Sequence, residues 1–324
     1  MPRTSYELTH CPVCDALDNV EIADANVMRS EVELLRAFHA RRLRVDVPPE
    51  SLTDRVAFSQ YPPLRLSQCG RCTHVYRNPW ERREALAAAY GDWTPTEAVL
   101  QALFATQRKA YRAQVRRLTK VTGRPGHGLE VGSYVGGFLA AARHAGWAFE
   151  GVDVNENAKE FATRSGFKVT RGEIGDVVTE QPFDVVAIWN TFEQLYDARS
   201  ALVAARRLVR QGGILVVRIP NGGFYVAWRR RLRGPLSAIA MRLLAHNNLL
   251  SFPYRQGFTS RSLAMLLREC HFEVVRVFGD TLVPIADQWT TTYGAMEERI
   301  VKGLQRVAQL GWNAPWVEVY ARGG

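Results

Sequence analysis

The chain has 324 residues, of which 47% are hydrophobic, and it carries a formal net charge of +10. This composition excludes a disordered or fibrous protein and provides enough apolar residues for a sizeable core, in about two domains. The first residues lack an apolar signal core, and no apolar run reaches the ~18 residues that a membrane span requires, so we expect a cytoplasmic protein.

Two cysteine pairs with the same C-x-x-C spacing, CPVC and CGRC, lie in the first 80 residues. Their thiols belong to Cys11, Cys14, Cys69 and Cys72. Two C-x-x-C pairs supply the four thiolates of a tetrahedral structural zinc. The spacing therefore predicts a zinc-binding module over residues 1–80, with a helix at 31–44 in the long insertion between the pairs.

The cysteine pairs leave two alternatives open. They could be two redox dithiols, although the βαβ pattern that surrounds a thioredoxin-like motif is missing. His10 or His74, which flank the pairs, could replace one sulfur as a ligand. The fifth cysteine, Cys270, lies in a helical pattern and is expected to be an ordinary core residue.

A helical connector is predicted over residues 81–124. It opens with an exit turn and a short helix in the stretch RNPWERREALAAAYGDW. Apolar positions at helical spacing then predict one helix over 97–123, which stops at Gly123 before Pro125.

From residue 127 onward the chain alternates strands and helices, which predicts an α/β fold with a parallel sheet. The predicted strands are GLEVG, AFEGVDV, FKVTRG, FDVVAIWN, GGILVVRIPN, FEVVRVFG and PWVEVYAR. One helix is predicted to begin at Gly137, and four more are predicted near 156–165, 198–210, 260–270 and 293–310. An insertion at about 221–257 interrupts the alternation, and Pro235 is expected to divide it into two short helices.

The first of these strands leads into a glycine turn, HGLEVGSYVGGFLAAA, and Asp153 follows at the end of the next strand. A dinucleotide site needs a glycine at position 134, where backbone touches the pyrophosphate, but that residue is Tyr134. The pattern therefore favours S-adenosylmethionine, which has no phosphate. Asp153 would hold its ribose hydroxyls in a solvent-accessible site, and the turn from Gly132 to Gly136 would serve the methionine end. A tight turn without a ligand is the alternative.

Residues 127–279 resemble class I S-adenosylmethionine-dependent methyltransferases in the motifs LEVGSYVGGFL, GVDVN, RGEIGDV and FDVVAIWNTFEQLYD. The cysteine pairs with the stretch that follows them resemble the bacterial subgroup with an amino-terminal zinc-binding module. The resemblance implies a seven-stranded Rossmann-like sheet with helices on both faces, over residues 125–324, and a small zinc-ribbon-like module. The cofactor-binding residues that it implies are Glu130, Gly132, Ser133, Tyr134, Gly136, Asp153, Val154, Glu173, Ile174, Trp189 and Asn190.

Methyl transfer depends mainly on aligning the acceptor with the sulfonium methyl group, so a general base is optional. The family's usual histidine after the fourth strand is Gln194 here. A base would then be Glu193, His246 or Tyr254. Glu193 has the alternative role of capping the next helix, and the other two have that of packing or surface residues.

Residues 198–268 contain 13 arginines and no acid or lysine. If this segment lies beside the substrate, it suits an acceptor with an anionic handle, such as a phosphorylated carrier. The sequence therefore predicts methyl transfer to a small-molecule acceptor, for example a sugar. The alternatives are an RNA methyltransferase, a non-catalytic zinc protein that binds nucleic acid or a partner, contact with an anionic membrane surface, and a solvated basic face.

Overall fold

The computed structural model describes residues 6–44, 65–84, 94–247, 255–281, 289–308 and 311–324. Within these ranges, no helix is both long and apolar enough to cross a membrane. The predicted base Tyr254 and most of the short helix expected after residue 81 lie outside the described residues.

The amino-terminal segment forms a small antiparallel sheet with one helix. Its elements are β1 (Tyr6–Glu7), β2 (Asn19–Ala23), α1 (Ala25–Ala40), β3 (Arg65–Cys69), β4 (Val75–Asn78) and β5 (Trp80–Glu81). β3 lies between β2 and β4, and β1 pairs with β5. The predicted helix within the insertion is confirmed as α1, although it begins and ends earlier than expected.

The connector forms two helices where one was predicted, α2 (Glu97–Ala110) and α3 (Arg112–Thr122). The break falls at Tyr111, whose hydroxyl is held by a hydrogen bond from Asn190. The predicted stop is confirmed, because Gly123 ends α3 in the left-handed conformation with φ +81°.

The remaining elements alternate as predicted. They are β6 (His127–Val131), α4 (Gly137–His144), β7 (Ala148–Asp153), α5 (Glu156–Arg164), β8 (Val169–Arg171), β9 (Phe183–Trp189), α6 (Ala198–Leu208) and β10 (Val209–Pro220). The insertion follows as α7 (Gly222–Arg229), α8 (Ser237–Asn247) and β11 (Gln256–Gly257). The chain ends with α9 (Ser260–Glu269), β12 (Phe272–Asp280), α10 (Thr292–Ala308) and β13 (Trp316–Gly323).

The central sheet has seven strands in the order β12-β13-β10-β9-β6-β7-β8. β13 runs antiparallel to both of its neighbours, and the other paired strands are parallel. The predicted seven-stranded Rossmann-like sheet is therefore confirmed. Its order reverses between β9 and β6, so the carboxyl ends of these strands form the crevice in which open α/β sheets bind ligands.

Helices cover both faces of this sheet. α3 and α4 pack on one face, through residues such as Leu118 and Phe138. α6 and α9 pack on the other, through Leu202 and Leu263, and the cysteines of the amino-terminal segment belong to this same core. Strand β11 of the insertion pairs with β4, so the insertion supplies the fourth strand of the small sheet.

Candidate functional site

The turn between β6 and α4 holds its shape through glycines in the left-handed region, Gly132 with φ +71° and Gly136 with φ +77°. The N–H of Gly132 donates to the carbonyl of Val152 at 2.8 Å, which ties the turn to the end of β7. A Cβ on Gly132 would lie 2.3 Å from Oγ1 of Thr191. This glycine is therefore required for the close approach of the loops that follow β6 and β9.

Tyr134 occupies the position where a dinucleotide-binding turn has its second glycine. Its φ is +49°, and its N–H donates to Oδ2 of Asp153 at 2.7 Å. Because the carboxylate of Asp153 already accepts this N–H, the amide cannot contact a pyrophosphate. The geometry agrees with the sequence-based preference for a ligand without phosphates.

Asp153 is 7% exposed, so its carboxylate is buried at the end of β7. Its Oδ1 accepts the N–H of Asn155 at 2.8 Å, and burial raises the pKa of its carboxyl despite these hydrogen bonds. The carboxylate was expected to serve only a ligand, but it also joins the glycine turn to the start of α5. A carboxylate has about four lone-pair sites, so Asp153 keeps acceptor capacity for two hydroxyl groups.

Two more buried polar groups lie beside this turn. Burial, and secondarily the charge of Asp153, raises the pKa of Glu130 well above its ordinary value. Among the described residues, Oε2 of Glu130 and Oγ of Ser133 have no hydrogen-bond partner. Unpaired buried groups of this kind favour a ligand or an ordered water at the site.

Three more of the predicted cofactor-binding residues differ in exposure. Val154 follows Asp153 directly and is 45% exposed, whereas Ile174 is buried. Glu173 lies on the surface, where Arg83 of the amino-terminal region donates to its carboxylate at 3.0 Å. Val154 therefore presents an apolar surface at the carboxyl end of β7, next to the acid.

Asn190, directly after β9, forms hydrogen bonds with Tyr111 and Arg218, two residues that the sequence did not indicate as part of the site. Asn190 has φ +56°; it donates to the hydroxyl of Tyr111 at 3.2 Å and accepts from Arg218 of β10. Burial and the neighbouring Glu130 raise the pKa of Tyr111. The indole N–H of the buried Trp189 has no partner among the described residues.

Arg218 is buried and is held by ion pairing. It donates to Asp280 at 2.8 Å, and Arg117 of α3 donates to the same oxygen at 2.9 Å. Burial alone would raise the pKa of Asp280, but the two arginines outweigh it and hold that pKa at about 2. The sequence contains one indication of this ion pair, which is the position of Arg218 inside the apolar run ILVVRIP. A charged side chain in a buried strand requires a partner of opposite charge.

Glu193 lies in the loop after β9 and is fully buried, with no hydrogen-bond partner for either carboxylate oxygen among the described residues. The alternative of a helix cap does not hold, because Asp197 caps α6 by accepting the N–H of Ser200 at 2.9 Å. Burial raises the pKa of Glu193 to about 8, against a weaker opposing effect of Arg218. At neutral pH this carboxyl therefore favours its protonated form.

Glu193→Gln should flatten the pH dependence of stability. The folded state keeps a proton to about pH 8, whereas the unfolded chain releases it near pH 4.5, so this group's stabilisation is lost as the pH rises between these values. Relative to wild type, the free energy of unfolding of the variant should rise by about 1.4 kcal/mol per pH unit in that window. Urea unfolding from pH 4 to 9 measures the difference, and parallel curves for the two proteins would contradict the assignment.

His246 is buried in α8, away from the glycine turn in sequence and in its contacts. Its ring meets Phe38 of α1 edge-on at 5.8 Å, and its carbonyl accepts the indole N–H of Trp316 at 2.9 Å. These contacts agree with the packing alternative for His246.

The four cysteines of the two pairs converge at one place. Sγ of Cys11 lies 3.5 Å from Sγ of Cys72, Cys14 and Cys69 are also 3.5 Å apart, and all four sulfurs lie within 4.8 Å of one another. None forms a disulfide. Tetrahedral zinc with Zn–S bonds of about 2.3 Å places its sulfurs about 3.8 Å apart, so the cluster has the size of a zinc site.

The two pairs also adopt the same backbone turn. The N–H of Asp15 donates to the backbone carbonyl of Cys11 at 2.9 Å, and the N–H of Thr73 donates to that of Cys69 at 3.0 Å. Asp15 and Thr73 both have a positive φ. The flanking histidines are engaged elsewhere, His10 with Asp15 and His74 with Gln256. The structure thus brings together four sulfurs and does not place either histidine in the cluster.

Segment 255–259 joins the cysteine turns to the loop after β9. The N–H of Arg255 donates to the carbonyl of Glu193 and Nε2 of Gln256 donates to that of Leu195, both at 3.2 Å. The hydroxyl of Thr259 lies 2.7 Å from that of Thr73 in the second cysteine turn. This segment therefore connects the cysteine cluster to one wall of the crevice.

Several solved structures are similar to this chain. The 1,6-didemethyltoxoflavin-N1-methyltransferase of Burkholderia thailandensis is 17% identical, with 81% of this chain and 96% of that chain covered at a TM-score of 0.49. A SAM-dependent methyltransferase of Archaeoglobus fulgidus is 17% identical, with 70% and 100% covered at 0.45. A possible histamine N-methyltransferase of Thermotoga maritima is 20% identical, with 68% and 93% covered at 0.43.

No curated protein matches the sequence. The methyltransferase-domain family matches residues 104–277, a range that includes the glycine turn, Asp153 and the loop after β9. Because this match covers more than half of the 324 residues, the chain belongs to the methyltransferase-domain family and is a methyltransferase.

Proposed function

We propose that this enzyme transfers a methyl group from S-adenosylmethionine to a small-molecule acceptor. The observation that carries the proposal is the pairing of Tyr134 with Asp153, at 2.7 Å. Because the N–H of Tyr134 donates to Asp153, it cannot bind a phosphate group. The carboxylate of Asp153 still has free acceptor sites for a ligand. S-adenosylmethionine combines a ribose with a phosphate-free chain and so matches both features.

The residues present fit this cofactor in three places. Asp153 would accept the ribose hydroxyls, the exposed side chain of Val154 would contact the adenine, and the turn from Gly132 to Gly136 would hold the methionine end. The cofactor supplies an electrophilic methyl group when it is bound. The chain's own part is to bind it, align the acceptor and exclude water.

We propose that alignment, more than proton removal, is what the described residues contribute. Glu193 and His246 are both buried, so neither carries an exposed base. Tyr254 stays a candidate from the sequence. Retained methyl transfer in Glu193→Gln, together with the altered pH dependence of its stability, would support this assignment. Loss of transfer with an unchanged melting temperature would identify Glu193 as the base.

The finer proposal is that the acceptor is a sugar or other polar metabolite on an anionic handle. Its support is the excess of arginine in residues 198–268, although several of these arginines serve the fold. Arg218 pairs with Asp280, and Arg229 pairs with Glu31. Further ion pairs join Arg199 to Glu269 and Arg210 to Asp184.

An acceptor screen with methyl-labelled S-adenosylmethionine tests the acceptor class. Nucleotide sugars, sugar phosphates, phosphopantetheine-loaded carrier protein and RNA would be offered separately to the full chain. We expect label in one of the small-molecule or carrier-linked groups. Label in RNA alone would favour the RNA methyltransferase alternative.

We also propose that the four cysteines bind one structural zinc ion. The support is the matched pair of turns and the distances among the four sulfurs. Four reduced thiols agree with a cytoplasmic location, which is part of the same proposal. A closed set of four sulfurs leaves no open position for a substrate, so zinc would hold the fold and take no part in methyl transfer.

A further inference from the structure

The insertion ends in an exposed basic and apolar surface, which we call the arginine tip. It is formed by the turn after α7 and the outer side of α8. Its residues are Arg230, Arg231, Arg233, Leu236, Ile239 and Arg242. α7 begins directly after the carboxyl end of β10, which is the end of the sheet at which the crevice lies, and the tip follows α7 in the chain.

The base of the tip is fixed to the body of the protein. Tyr225 of α7 and Leu244 of α8 are buried in a core that includes Met28 of α1. Arg229 donates to Glu31 at 3.0 Å, and Tyr225 also donates to that carboxylate. Arg229 is thus part of the anchor, and the exposed charge begins at the next residue.

The four arginines give the tip a net positive charge among the described residues. None of them forms an ion pair within the ranges that the structure describes. Two acids, Asp24 and Glu31, lie within electrostatic range of Arg233. Asp24 offsets part of the charge of Arg233, whereas Glu31 pairs with Arg229, so the tip keeps a net positive charge.

Apolar side chains lie among these charges. Leu236 is 44% exposed and Ile239 is 52% exposed, although both belong to a segment that is otherwise packed on α1. The aromatic ring of Trp228 is half-buried, with the guanidinium of Arg231 5.0 Å from its centre. In the part of the insertion that the structure describes, the tip therefore offers cations and aliphatic side chains, without an open aromatic ring for stacking on a base.

We propose that the arginine tip docks the enzyme on an anionic lipid surface. Arginines attract anionic headgroups, and exposed aliphatic side chains gain by entering the boundary between headgroups and acyl chains. Nucleic acid would match the charge but leave Leu236 and Ile239 in water, and it usually recruits aromatic stacking. A small phosphate compound would not need the two aliphatic residues. The combination of positive charge and exposed aliphatic side chains therefore fits an anionic membrane surface better than nucleic acid or a small phosphate compound. This inference does not depend on the identity of the methyl acceptor.

Vesicle flotation of the full chain tests the proposal. Vesicles of phosphatidylcholine alone would be compared with vesicles that also contain phosphatidylglycerol, at low and at physiological salt. We expect binding only with phosphatidylglycerol, and weaker binding as salt rises. Changing the four tip arginines to Gln should lower the apparent affinity by about a thousandfold, and Leu236→Ser with Ile239→Ser should lower it by about tenfold.

The matched control removes exposed arginines elsewhere on the same enzyme. Arg207, Arg261 and Arg268 are exposed on α6 and α9, so their change to Gln lowers the net charge without touching the tip. This control should bind vesicles as wild type does, and all variants should keep the wild-type melting temperature. Equal loss in the control, no binding by wild type, or loss of binding to short RNA alone would each overturn the proposal.

Discussion

Asp153→Ala should abolish measurable binding of S-adenosylmethionine and also lower the stability of the protein. The change removes the proposed acceptor of the ribose hydroxyls. It also leaves the N–H groups of Tyr134 and Asn155 without their buried partner, which costs about 1–3 kcal/mol for each unsatisfied group. Titration calorimetry gives the loss of affinity, and urea unfolding gives the loss of stability.

A second carboxylate that caps a helix provides the control for this prediction. Asp197→Ala removes the acceptor of the Ser200 N–H at the start of α6 and should cost about 1 kcal/mol, without touching the glycine turn. We expect this variant to be destabilised yet to bind S-adenosylmethionine as wild type does. Unchanged cofactor affinity in Asp153→Ala would show that this carboxylate is structural only.

Cys69→Ser should release the proposed zinc and cause the largest loss of stability among the single substitutions considered. Cys69 is buried in the same core as the helices on one face of the central sheet. Loss of a thiolate ligand removes metal binding that is coupled to folding. We expect about one zinc per chain in wild type by elemental analysis, little in the variant, and a marked drop in the melting temperature.

Cys270 supplies the matched control, because it is equally buried but is not in the cluster. Cys270→Ser should keep zinc and lose less stability. Wild-type protein that contains no metal after purification without chelator would contradict the zinc proposal, as would equal zinc loss in both variants.

Removal of zinc should also loosen the loop after β9, which forms one wall of the crevice. Arg255 and Gln256 hold the loop after β9 by hydrogen bonds, and β11 is paired with β4 next to the second cysteine turn. We therefore expect amide exchange to rise in residues 190–196 when zinc is removed by a chelator. This coupling was not visible in the sequence, where the cysteine pairs and the loop are more than 100 residues apart.

The central sheet was predictable because its signals are local. Apolar runs such as FDVVAIW, the helix stop at Gly123 and the glycine turn that ends at Gly136 report on the backbone within a few residues. The preference for a phosphate-free ligand was also local, since it depended on one side chain, Tyr134. The structure adds the reason, which is the bond from its amide to Asp153.

The charges could not be predicted in the same way. Arg218 was counted with the basic segment, but it is buried against Asp280, 62 residues later in the chain. Asp153 was predicted as a ligand-binding acid, but its carboxylate also accepts the N–H of Tyr134, 19 residues earlier in the chain. In both cases the outcome depends on which distant elements pack together, and hydrophobic periodicity carries no information about that pairing.

Titration calorimetry of the wild-type chain tests the central proposal most directly. S-adenosylmethionine, S-adenosylhomocysteine and NAD would be titrated separately, at two temperatures so that a vanishing heat is not mistaken for absent binding. We predict one site per chain with micromolar affinity for the first two ligands and no binding of NAD. No binding of S-adenosylmethionine at either temperature, or binding of NAD in its place, would contradict the account.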